Sequence, residues 1–193
     1  MQSYPLKNNY QPMPGDLAIW FFIYAELAVF GLAFIVYLVI KSQNPEIFEA
    51  GQQTLNKTFA LINTLALITS SYFVVKAVES IKQDSLQACG RWLIAALVAA
   101  SIYVLLKTLE YQHLYGLGFH LSSNKFYTYY FLLTMFHYAH VLLGMAILFI
   151  ILMRNRKRAY SSNDYSMLEV GASYWHMVDL VWVVLFPLVY VIQ

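Results

Sequence analysis

The sequence predicts an all-α integral membrane protein, a bundle of five transmembrane helices. Three observations carry that prediction. Of the 193 residues, 60% are hydrophobic and only 11% are charged, whereas a soluble domain carries about a quarter charged residues. The mean hydropathy is +0.56. Five segments reach the roughly 20 mainly apolar residues that a bilayer-spanning helix needs: Leu17–Ile40, Thr58–Val78, Arg91–Tyr111, Phe126–Met153 and Leu168–Ile192. Sixteen tyrosines and thirteen phenylalanines suit aromatic belts and close helix packing.

Residues 1–16, MQSYPLKNNYQPMPGD, are polar and contain three prolines. They read as a cytoplasmic N-terminal segment rather than a cleavable signal peptide, so the first span is expected to act as its own membrane signal. Residues 17–193 form the membrane domain, with short polar connections and no repeat or separate soluble unit.

An odd number of spans puts the termini on opposite sides, and the distribution of cations orients them. Lys7, Lys76, Lys82, Arg91, Arg154, Arg156, Lys157 and Arg158 fall on the side shared by the N-terminus and the second and fourth connections. Lys41, Lys57, Lys107 and Lys125 fall on the other. Eight against four places the N-terminus in the cytoplasm and the C-terminus outside. The run Arg154–Lys157 contributes most of the bias. Its plain reading is a stop-transfer signal. Its sharper reading, with Arg158, is a lipid-headgroup patch. The formal net charge of +2 is too small to suggest nucleic acid.

Polar groups recur at membrane depth, where an unpaired carboxylate costs about 2.5–3.5 kcal/mol on insertion scales. On the first span Glu26 lies among Phe22 and Phe30, and only another helix can supply its partner. On the second, Asn63 and Ser70 repeat at i, i+7. On the third, Lys107 and Glu110 are spaced to pair along the helix. On the fourth, Tyr130, Thr134, His137, Val141 and Gly144 form one stripe, with His140 at its edge. Gly144 invites close approach of another backbone. On the fifth, Trp175, Asp179, Trp182 and Phe186 share a stripe, and His176 lies one turn from Asp179. Such groups serve as interhelical glue, as a proton relay or as metal ligands.

The residue inventory restricts the last of these. The single cysteine, Cys89, excludes an internal disulfide framework and a binuclear copper site built on paired thiolates. Of the five histidines, His113 and His120 lie in the third connection. The remaining three are too few for a haem–copper catalytic centre or for a two-haem cytochrome b. His137 and His140 form an HxxH without the neighbouring glutamate of a metallohydrolase helix. No catalytic, cofactor-binding or metal-ligating residue is therefore assigned to this chain.

The motifs together resemble subunit III of the haem–copper oxidases. They are IWFFIYAELAVF with Glu26, LNKTFALINTLALITSS with Asn63 and Thr64, and LKTLEYQHL with Glu110 and Tyr111. They continue with TMFHYAHVLLG, holding His137, His140, Val141 and Gly144, and YWHMVDLVW, holding Trp175, His176, Asp179 and Trp182. Many members of the family have seven helices; this chain lacks the first two, whose cleft holds lipid. The short form resembles quinol oxidase subunits, some bacterial cytochrome c oxidase subunits, and the accessory subunit associated with nitric oxide reductases. PGDLAIWFFIYAEL and WVVLFPLVY are most similar to the last. The resemblance implies a non-catalytic subunit of a respiratory complex in a bacterial plasma membrane. It also implies haem and copper in a catalytic partner subunit, bound phospholipid, and support of proton uptake. A free-standing transporter or proton-conducting protein is the alternative, against which stands the lack of a visible inverted repeat.

Overall fold

The computed structural model describes residues 17–158, 160–161 and 164–192, and the N-terminal segment with Lys7 lies outside them. Six α-helices are present among these residues rather than five: α1 (Leu17–Gln43), α2 (Pro45–Gln53), α3 (Lys57–Lys82), α4 (Leu86–Gly116), α5 (Lys125–Arg156) and α6 (Ser166–Phe186). Five of them are long and apolar enough to cross a membrane. No strand occurs among the described residues.

The sixth, α2, corrects the reading of residues 41–57 as a plain polar connection. Asn44 precedes Pro45 at the first helical position, and Glu46 sits in the first turn. Proline is preorganised there and its missing N–H is not needed. One face of α2 is buried by Phe48, which packs edge-on against Tyr37 and Phe126. Gly51 is needed where the Phe126 ring crosses it, since a Cβ would collide with that ring.

The long helices overrun the hydrocarbon core. At 1.5 Å per residue, the 31 residues of α4 and 32 of α5 extend well past the roughly 30 Å apolar slab. Asn56 starts α3 by accepting from the backbone N–H groups of Thr58 and Phe59, both at 3.1 Å. Asn124 starts α5 by accepting from Tyr127 N–H at 3.0 Å. These contacts satisfy donors that a helix start leaves free.

Pro187 ends α6. It has no N–H to give to the preceding turn, and the chain continues as one π-helical turn, Pro187–Val191. Gln52 of α2 donates to the carbonyls of Val189 at 2.8 Å and Ile192 at 3.0 Å. Lys41 also donates to Ile192. The α1–α2 corner thus holds the carbonyls that the irregular end exposes.

The core lies between α3, α4, α5 and α6, with α1 packed on α5 and α6. Its largest fully buried side chains include Trp175, Trp182, Tyr103, Tyr130 and Tyr190. At Gly144 the neighbour is an indole rather than a backbone: a Cβ there would lie 2.7 Å from the Trp175 ring.

Candidate functional site

Lys107 and Glu110 lie on one face of α4, one turn apart, and are 0% and 4% exposed. Lys107 therefore does not belong among the charges that flank the spans, which leaves Lys41, Lys57 and Lys125 in the group to which it was counted. Its Nζ donates to Glu110 Oε2 at 3.1 Å, to Tyr130 Oη at 3.1 Å and to Tyr190 Oη at 2.6 Å. The two phenols in turn donate to Glu110 Oε1, each at 2.9 Å. An ammonium has three protons to give, and all three are taken. The Nζ also sits 5.0 Å from the ring centroid of Tyr111 and 5.6 Å from that of Trp182, within the range of cation–π attraction. The charge is thus neutralised, hydrogen-bonded and walled by aromatic faces. A cleft of about 530 Å³ reaches Glu110 from the surface, past Thr54, Lys57 and His113.

The i, i+3 pairing of Lys107 and Glu110 is as expected from spacing, and Tyr130 lies on the anticipated stripe of α5. Tyr190 was not anticipated. The π turn shifts its direction away from the simple helical repeat of α6, and only Pro187 in the sequence hints at that irregularity.

Glu26 finds its partner on α5. Its Oε2 is 3.1 Å from His140 Nε2, and His140 Nδ1 is 2.8 Å from the Phe136 carbonyl. The carbonyl only accepts, so Nδ1 carries a proton. A hydrogen bond on the other side then needs one further proton, held by the imidazole or by the carboxyl. Phe30 and Phe136 pack edge-on against the His140 ring, at 5.2 and 4.6 Å. This pair clamps α1 to α5.

His137 is fully buried, but neither ring nitrogen has a hydrogen-bond partner among the described residues. It stacks on Trp182 at 5.2 Å and meets Tyr103 edge-on at 5.8 Å. The Asn63 amide and the Tyr103 hydroxyl are buried and likewise have no partner among the described residues. Trp182 Nε1 donates to Thr64 Oγ1 at 2.9 Å, joining α6 to α3. Trp175 is buried, and its Nε1 has no partner among the described residues.

His176 and Asp179 do not bond to each other. His176 Nδ1 lies 2.6 Å from Ser71 Oγ on α3. Asp179 is half-buried and faces the same serine, and its Oδ1 has no partner among the described residues. The polar residues of YWHMVDLVW therefore reach across to α3 rather than along α6. At the basic end, Arg154 turns to α6, with Nη1 2.7 Å from Met167 Sδ. Arg156, Lys157 and Arg158 are exposed. Among the described residues, no three His, Cys, Asp or Glu side chains converge on a point that suits a metal ion.

Comparison with known proteins agrees with this arrangement. Residues 16–193 match the family described as cytochrome c oxidase subunit III. A cytochrome c oxidase subunit 3 of Synechocystis sp. is 32% identical over 89% of this chain and 72% of its own length. One from Thermostichus vulcanus is 29% identical over 91% of this chain and 86% of its own length. A probable quinol oxidase subunit 3 of Staphylococcus aureus is 28% identical over 91% of this chain and 88% of its own length. The five spanning helices and the match across the whole membrane domain identify the chain as a multi-pass membrane protein of the cytochrome c oxidase subunit III family.

Proposed function

We propose that this chain is the non-catalytic accessory subunit of a respiratory haem–copper oxidase, packed against a catalytic subunit that carries the haem and copper. The observation that carries the reading is how its membrane-depth histidines are used. His140 is taken by Glu26 and a carbonyl, His176 by Ser71, and His137 by aromatic rings. Each faces another helix, and among the described residues none belongs to a group of three or more metal-type side chains. The chain shapes and stabilises its partner's surroundings while electrons move elsewhere. A free-standing transporter gains no support from the family match.

Three finer features complete the reading. The Glu26–His140 pair holds an exchangeable proton near the bundle surface and supports proton uptake by the partner. The basic end of α5, with Arg154, Arg156, Lys157 and Arg158, faces the bacterial cytoplasm and holds anionic lipid. The electron acceptor is oxygen, or nitric oxide in a complex of the reductase type; the similarity of PGDLAIWFFIYAEL and WVVLFPLVY to the reductase-associated subunit favours the second.

The test is purification of the catalytic subunit through a tag on this chain, followed by turnover with and without it. The catalytic subunit should co-purify. Deletion should leave haem content and initial consumption of oxygen or nitric oxide largely intact, while activity decays faster during sustained turnover. Failure to co-purify, or complete loss of initial turnover by a fully haemylated partner, contradicts the accessory role.

A further inference from the structure

A cleft of about 380 Å³ opens between the start of α4 and the end of α5, away from the Lys107 network. Three guanidinium side chains line it: Arg91 from α4, and Arg156 and Arg158 from the end of α5. Arg158 has a left-handed backbone (φ 55°), a conformation disfavoured for a residue with a Cβ, which turns the chain sharply just where α5 ends. None of the three is ion-paired with a described carboxylate. The walls below the arginines are apolar, from Ile94 and Leu152.

The floor supplies the second observation. Asn155 lines the cleft and is only 4% exposed. Its Nδ2 donates to the Leu86 carbonyl at 2.9 Å, which fixes the amide orientation. Its Oδ1 is then an acceptor without a partner among the described residues. Gly90 opposite leaves room for this amide, since a Cβ would lie 3.0 Å from Nδ2. The cleft thus combines three cations, one buried neutral acceptor and an apolar exit towards the membrane.

We infer that this cleft is a binding site for one anionic phospholipid whose headgroup carries a hydroxyl donor beside its phosphodiester, as phosphatidylglycerol does. The phosphate takes Arg91, Arg156 and Arg158, because a guanidinium fork matches phosphate oxygens. The headgroup hydroxyl donates to Asn155 Oδ1. The acyl chains descend along Ile94 and Leu152. The inference deepens the lipid part of the proposed function and replaces the contiguous run Arg154–Arg158 with a set built from two helices. Arg154, directed at Met167, and Lys157 are outside it.

The experiment uses the full chain purified in detergent, with phosphatidylglycerol or phosphatidylcholine added and bound lipid counted by native mass spectrometry. The wild-type chain should hold one phosphatidylglycerol in preference to phosphatidylcholine. R91Q/R156Q/R158Q should weaken this by at least about tenfold, since each cation near a lipid surface contributes about 1 kcal/mol. R154Q/K157Q, which removes two charges from the same end, should not. N155L should lower the preference for phosphatidylglycerol over phosphatidic acid, which lacks the headgroup hydroxyl. Equal binding by the two arginine variants overturns the site. Displacement by millimolar inorganic phosphate reassigns it to a soluble anion, and release of lipid when the catalytic subunit binds reassigns it to a protein contact; both overturn the inference. Co-purification with the catalytic subunit is scored separately, so loss of lipid specificity with intact assembly refutes the lipid site alone.

Discussion

Trp182 borders two buried polar regions of the same bundle. On its Lys107 side, ammonium, carboxylate and two phenols close a network in which every proton of the lysine is used. Around His137, which stacks on the same indole, the imidazole and the Tyr103 hydroxyl have no hydrogen-bond partner among the described residues. The difference follows from charge. An ion taken into low dielectric is tolerated only with a counter-ion and further hydrogen bonds. A neutral imidazole or amide carries a smaller desolvation cost, about 1–3 kcal/mol when unpaired, and close aromatic packing offsets that. Lys107 and Glu110 therefore depend on each other for stability, whereas His137 depends on shape.

Substitution of Glu110 tests this contrast most severely. Glu110→Leu strands the Lys107 ammonium and should lower stability in detergent by about 3–5 kcal/mol, read as a lower melting temperature of the purified chain. The double variant Lys107→Met/Glu110→Leu should recover most of the loss, because a buried pair replaced by apolar side chains is often nearly neutral. Wild-type melting of the single variant would mean that water entering by the Glu110 cleft already solvates Lys107.

An intermediate effect is expected from Tyr190→Phe. It removes one acceptor from Lys107 and one donor to Glu110, with the ring retained. Destabilisation of about 1–3 kcal/mol should follow, measured in the same melting assay. A neutral result would shift the weight of the network to Tyr130.

The smallest effect should come from His137→Phe. The ring contacts with Trp182 and Tyr103 are kept and no protein hydrogen bond is lost, so stability should change by less than about 1 kcal/mol. A loss as large as that of Glu110→Leu would show that His137 binds something beyond this chain, and the contrast between the two regions would fail.

Much of this site is readable in the sequence. Lys107 and Glu110 stand three apart on a helix, which sets their pairing. Glu26 and His140 each stood out as polar groups amid apolar neighbours. Their union was not readable, because the two are separated by 114 positions and many helix packings are compatible with one set of spans. Tyr190 escaped notice because Pro187 shifts it off the helical repeat. Asn44, Pro45 and Glu46 mark the start of α2, but its nine residues are too few to cross a bilayer. His176 and Asp179 look like an i, i+3 pair, yet Ser71 on α3 faces both.

By itself the sequence determined the membrane class, the five spanning helices and the family, since hydrophobic length and short motifs are local properties and the bilayer forces apolar segments to be helical. It also determined which side chains were too costly to face lipid. The tertiary structure decided which of them meet. Four helices must close around Trp182 before Tyr130 and Tyr190 reach Lys107, and α4 must lie against α5 before Arg91 joins Arg156 and Arg158. Those partnerships depend on helix rotation and crossing, which are set by packing over the whole bundle and by no single segment.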